Sequence, residues 1–136
     1  MAVRGIRNNN PLNIRKGNKW QGERENQTDP VFEEFISMEY GLRAGLKLMK
    51  NYIEGRTATR VKYNTISKLV SRWAPPIENA TNSYIKFVAD SVGINPLEVI
   101  DFKNKSLMVG ICAAMVRVEC GTIVDKNIIE SAYDML

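Results

Sequence analysis

Twelve consecutive residues, Leu107 to Val118, restrict this chain more than any other stretch: only Gly110 and Arg117 among them are not apolar. A surface helix shows one apolar stripe, whereas a helix apolar nearly all round has no face to offer water and must be buried. Twelve residues fall well short of the ~20 needed to cross a bilayer. Burial therefore has to come from the rest of the chain. With 136 residues, 44% of them hydrophobic, there is enough material for one globular domain with a real core.

The wrapping helices are read from their periodicity. Met38, Leu42, Leu46, Met49 and Ile53 recur at spacings of four, four, three and four, with Ser37 as N-cap and Gly55 as the stop. Thr65 starts a second helix with Ile66, Leu69, Val70 and Trp73 on one face, and Pro75-Pro76 ends it. A third runs from about Thr81 to Val92, with Gly93 just past its end. Asn95-Pro-Leu-Glu98 has the form of a complete start signal and predicts a short helix to Asp101. A last helix covers Asp125 to Leu136. Between the Gly17-Asn18 and Thr28-Asp29-Pro30 turns a short, irregular β-hairpin is expected, followed by Val31-Phe-Glu-Glu-Phe-Ile36 as a strand edge or a packing arm. The expectation is a mainly α (α+β) single domain over residues 1–136, with about six helices round a central buried one and a small β-hairpin.

The first ordered stretch, Arg4 to Arg15, carries Asn8, Asn9, Asn10 and Asn13 around Pro11. Asparagine favours turns and caps, and the residue before proline is pushed out of the helical region. Each amide brings an acceptor and two donors. Such density serves a loop that satisfies its own backbone, or a surface that holds a polyhydroxylated ligand.

There is no histidine, which excludes histidine bases, triads and histidine metal sites. Cys112 and Cys120 stand eight positions apart on one predicted helix, ~12 Å at about 1.5 Å per residue, beyond disulfide reach. Two thiols do not complete a zinc site, so neither a metal nor a cofactor is expected. The net charge of +4 suits an anionic partner. No run of basic residues exceeds two, which argues against a nucleic-acid arm. Met1 to Pro11 lacks the apolar core of a signal peptide. The expectation is synthesis in the cytoplasm and action elsewhere only by another route of delivery.

Glu119 is the sharpest candidate for chemistry. It sits at the C-terminal tip of the apolar helix, where the helix dipole disfavours a negative charge, and that favours a general acid. A plain ion pair with Arg117 is the alternative. The block Arg72-Trp-Ala-Pro-Pro-Ile-Glu-Asn79 reads as a rigid elbow, with Glu78 and Asn79 as candidate ligand-binding side chains. Trp20 and Tyr40 are core aromatics or sugar-stacking platforms, and for Trp20 the ligand-facing role is favoured by its polar neighbours. Glu23, Glu25 and Asp29 read as a solvated hairpin that could hold a second acid.

In order along the chain, Arg4-Gly-Ile-Arg-Asn-Asn-Asn-Pro-x-Asn-Ile-Arg15, Trp20-Gln-Gly22, Phe32…Phe35 and Tyr40-Gly-Leu-Arg-Ala44 are followed by Tyr52 and Arg72-Trp-Ala-Pro-Pro-x-Glu-Asn79. Thr81-x-x-Tyr84-Ile85 and Ala113…Glu119-x-Gly121 complete the series. Together they resemble a family of small phage and prophage proteins, virion structural proteins or lytic transglycosylases with a lysozyme-like fold. Leu12 departs from the glycine expected there. Lysozyme-like glycosidases place the glutamate-tipped apolar helix first and the Asn-rich loop after it. The rotated order here implies a circularly permuted lysozyme-like domain, with Glu119 facing the Asn8–Trp20 segment across a glycan cleft.

The resemblance implies cleavage of peptidoglycan glycan strands beside N-acetylmuramic acid, with Glu119 as general acid and then base. It implies Asn8, Asn9, Asn10, Asn13, Trp20, Tyr40, Glu78 and Asn79 as the substrate-binding side chains. A transglycosylase is favoured over a muramidase because only one carboxylate has a context suited to an acid, whereas hydrolysis usually needs two. A non-catalytic wall-binding or virion structural module is the second class, with other virion proteins as partners. Nucleic-acid binding is the third and weakest.

Overall fold

The structure, a computed structural model, describes residues 3–74 and 77–136, the side chains of Glu78 and Asn79 excepted. The ligand roles expected of Glu78 and Asn79, and the Pro75-Pro76 stop, lie outside what is described. The fold is mainly helical. Among the described residues there are six helices: α1 (Arg4–Arg7), α2 (Met38–Glu54), α3 (Ile66–Trp73), α4 (Glu78–Val92), α5 (Lys105–Cys120) and α6 (Lys126–Asp134). The chain divides into two compact units, Met1–Lys47 with Val116–Leu136, and Leu48–Met115, so both boundaries fall within helices, α2 and α5. No helix among the described residues is long and apolar enough to cross a membrane.

The expected stripe of α2 is buried at Leu42, Leu46, Met49 and Ile53, and the Ser37 hydroxyl accepts from the Tyr40 N–H at 3.3 Å. α5 is buried as its composition demands: Met108, Ile111, Cys112, Met115 and Val116 are inaccessible or nearly so, and Cys112 and Cys120 are free thiols.

In the first unit, α1 was not expected. A single helical turn forms because Arg4-Gly-Ile-Arg precedes the asparagines, and it stops where Asn9 turns left-handed at φ 51°. The following loop lies directly on α2. Asn9 carbonyl oxygen occupies the place where a Cβ on Gly41 would sit, and the Leu12 side chain does the same at Gly45. Leu12 is fully buried there, so the departure at that position is matched by a glycine one turn along the helix from Gly41.

No β-hairpin forms among the described residues. Residues 15–36 pair only at isolated antiparallel bridges, Arg15 with Phe32 and Glu23 with Phe35. Side chains take the backbone groups that a ladder would need. Asp29 accepts from the Val31 and Phe32 N–H groups, Glu34 from those of Thr28 and Asp29, and Gln27 donates to the Arg24 and Glu34 carbonyls. α6 is capped by Asp125, whose carboxylate accepts from the Asn127 N–H at 2.8 Å; it buries Ile129 and Ala132 and ends before Leu136, which is exposed.

In the second unit, α3 packs on α4. Thr65 caps α3 through the Lys68 N–H, and Ile66, Leu69 and Val70 are buried. α4 begins at Glu78 rather than Thr81, because Ile77 rather than Thr81 is its N-cap; Tyr84, Val88 and Ala89 turn inward. The helix expected over Asn95–Asp101 is absent. Asn95 makes only a local turn, accepting from the Leu97 and Glu98 N–H groups. Val99 and Ile100 are then drawn into extended contact with Thr65 and Asn64, a conformation that β-branched residues favour. Tyr52 is met edge-on by Tyr63 and Trp73, with the Arg72 guanidinium 4.8 Å from its ring centre.

Candidate active site

The two ends of the first unit meet at the C-terminal tip of α5. Asn13, left-handed at φ 54°, directs its amide N–H₂ to the Glu119 carboxylate at 3.0 Å and to the Glu119 carbonyl at 3.3 Å. One turn of loop earlier, the Pro11 carbonyl accepts the Cys120 thiol at 3.0 Å. Gly5 of α1 closes this corner: a Cβ there would lie 2.6 Å from Cys120 Sγ and 3.0 Å from the Asn10 carbonyl oxygen. The ion pair between Arg117 and Glu119 is not formed; the Arg117 guanidinium donates instead to the Gly121 carbonyl at 2.8 Å. Glu119 is half-buried and makes no ion pair among the described residues. Burial, then the neighbouring Glu119 charge, pushes the Cys120 thiol up to about 11, so it stays neutral and serves as a donor.

The other asparagines act mainly as scaffold. Asn10 is fully buried; its amide spans Ile14 on both sides and also donates to the Glu33 carbonyl at 3.0 Å. Asn8 is buried and donates to Asp29 at 2.9 Å. Asn9 donates to the Phe35 carbonyl at 3.1 Å. Of the four expected to hold sugar, Asn8 and Asn10 lie inside, with their amides engaged in holding the loop. Asn13 is the one placed against Glu119.

Trp20 is half-buried rather than open, and its indole N–H is buried with no hydrogen-bond partner among the described residues. Tyr40 is half-buried with its ring where a Cβ on Gly22 would go. Glu25 is exposed, as a solvated loop requires. Asp29 is not solvated. It is buried under Arg4, whose guanidinium donates to both carboxylate oxygens at 2.5 Å, and that pairing holds its carboxyl far below the usual range.

Sequence reasoning missed Glu33 and Glu34, both buried between Phe32 and Phe35. Burial raises the Glu34 carboxyl, but hydrogen bonds from Asp29 and Thr28 and the charge of Arg24 outweigh it and leave it lowered. Glu33 goes the other way. Burial first, then hydrogen-bonding contact with Glu23, pushes it up to about 8, against a smaller opposing effect of Lys16. The available signal was their position between two phenylalanines. Among the described residues no group of three or more cysteine or carboxylate side chains could hold a metal ion.

The half-buried Glu119 carboxylate is thus held by the neutral amide of Asn13, with no ion pair among the described residues. No known family model matches the sequence. The chain is 38% identical over 125 residues to protein P5 of Pseudoalteromonas phage PM2, an alignment that takes in 89% of this chain and 73% of that protein.

Proposed function

We propose that the chain, which belongs to the family of protein P5 of Pseudoalteromonas phage PM2, cuts the glycan strands of peptidoglycan as a lytic transglycosylase, with Glu119 as acid and then base. This reading takes the mainly helical fold as a lysozyme-like one in circularly permuted order. It places the action at the periplasm and cell wall, with other virion proteins as partners. The observation that carries it is the Asn13 amide on the Glu119 carboxylate, across 106 positions of chain.

Glu119 protonates the oxygen that leaves the muramic C1. The same carboxylate then takes the proton from the muramic C6 hydroxyl, which closes the 1,6-anhydro ring; no second carboxylate is required. Asn13 is the positioning residue, since its N–H₂ fixes one carboxylate oxygen and leaves the acid's orientation independent of the substrate. The test is mass spectrometry of products released from purified sacculi. Anhydro-muramic ends, lighter than hydrolytic ends by one water, support the reading, and reducing muramic ends point to a muramidase. A second reading, a non-catalytic wall-binding or virion structural module, draws on the internal use of Asn8 and Asn10. It predicts binding to sacculi with no product released.

A further inference from the structure

The chain carries a net charge of +4, yet residues 50–73 alone hold six basic side chains and one acidic one, a net +5 that leaves −1 for everything else. All of this stretch belongs to the second unit. Its single acid is already engaged: Glu54 accepts from Arg56 at 2.7 Å and stands 4.0 Å from Lys50. Arg60, Lys62, Lys68 and Arg72 are exposed and form no ion pair among the described residues. No two of these four are adjacent in sequence; folding gathers them. A turn closed by the Arg60 N–H on the Thr57 carbonyl at 3.0 Å, with Arg60 left-handed at φ 59°, sends the chain back along the end of α2. There the Arg60 carbonyl oxygen and Lys62 Cγ lie 2.9 and 3.0 Å from the place of a Cβ on Gly55. The Tyr63 N–H then donates to the Tyr52 carbonyl at 2.8 Å. Lys68 and Arg72 stand four positions apart on α3, and that spacing puts them on one face. Tyr52 joins the two groups: its ring meets Tyr63 edge-on at 5.7 Å and Trp73 at 6.1 Å, with the Arg72 guanidinium 4.8 Å from its centre. The three aromatic residues are half-buried, so part of each remains open.

We propose that this surface of the second unit, formed by Arg60, Lys62, Lys68 and Arg72 around Tyr52, binds single-stranded nucleic acid. Cations without an acidic partner take phosphates, and a guanidinium plane beside partly open aromatic rings takes unstacked bases. A helix C-terminus attracts cations by itself, which accounts for Arg60 and Lys62 at the end of α2. It does not account for Lys68 and Arg72 on α3. A duplex keeps its bases stacked inside, and a wall glycan offers carboxylates without planar bases, so the combination of cation and ring selects the single strand. The basic residues act on the backbone, and no sequence preference is expected. The proposal does not depend on glycan cleavage.

The test is fluorescence anisotropy of a fluorescein-labelled oligothymidylate titrated with the full chain. Binding is expected to saturate at about 50 mM salt and to weaken roughly fifty-fold by about 200 mM, the dependence of about four phosphate contacts on a single strand. Arg60→Gln, Lys62→Gln and Lys68→Gln combined replace exposed side chains, and should cut affinity by roughly tenfold or more and flatten the salt dependence. Arg72→Lys keeps the charge and loses the plane; it should weaken binding and leave the salt dependence as it was. Lys86→Gln, on α4 where Lys86 pairs with Asp90 at 2.8 Å, should leave binding unchanged. No saturable binding, binding unaltered by the triple exchange, or equal affinity for a duplex or for heparin overturns the proposal. Retention on purified sacculi that the triple exchange abolishes, with none on the oligonucleotide, overturns it too and assigns the surface to the wall.

Discussion

At the scale of single residues, the asparagines of one loop divide their labour, and the division can be measured. Asn10 spends its amide on Ile14 and Glu33 inside the first unit. Asn10→Ala should therefore lower stability by about 1–3 kcal/mol for each buried group left unpaired, read from urea unfolding. Asn13 touches Glu119. Asn13→Ala is expected to lower kcat on sacculi with little change in melting temperature, because its amide is half-exposed and orients the acid without supporting the core. Glu119→Gln should abolish cleavage and leave helical content and melting unchanged; lysis retained by a folded Glu119→Gln protein would remove Glu119 from the chemistry. The identity of Glu119 as a candidate was legible from its place at the tip of an apolar helix. Its partner was not, since nothing local marks Asn13 for a helix 106 positions away.

At the scale of elements, the helices were legible where one apolar stripe coincided with a cap, as at Ser37, Thr65 and Asp125. Failure came where a cap signal stood without a stripe. Asn95-Pro-Leu-Glu98 has capping residues, but Leu97 and Val99 are exposed, so no buried face existed to extend the turn into a helix. The hairpin failed for the opposite reason: Asp29, Glu34 and Gln27 use their side chains on the backbone groups that strands would pair. Burial of those acids depends on partners such as Arg4, 25 positions away, and this no local window reveals. The packing of loop on helix gives a test at this scale. Gly→Ala inside a helix ordinarily gains roughly 0.5–1 kcal/mol. At Gly41 the added methyl meets the Asn9 carbonyl, and overpacking against backbone costs about 1–3 kcal/mol. Gly41→Ala is thus expected to destabilise, the reverse of the usual helical exchange, and thermal melts of the variant beside the parent protein would show the sign.

Across the whole molecule, buried carboxyls set how stability follows pH. Asp29 is lowered by Arg4 and Glu34 by its hydrogen bonds. Their contributions are present above the unfolded values near 3.8 and 4.5 and disappear as pH falls through the folded ones. Glu33 is raised, so the folded state holds a proton that the unfolded state has lost. Its effect is absent below 4.5 and grows more unfavourable as pH rises to about 8, with a slope of up to about 1.4 kcal/mol per pH unit. Urea unfolding across pH 3 to 9 should accordingly show greatest stability on the acid side of neutrality, and Glu33→Gln should flatten the alkaline limb alone. The bond between Asn13 and Glu119 has a further consequence, which concerns time. Asn13 is synthesised 106 positions before Glu119, and contacts so far apart in sequence form late in folding. An incomplete nascent chain thus carries the Asn13 amide before the Glu119 carboxylate that it meets has been made. The contact between loop and helix tip therefore closes only after α5 has been made.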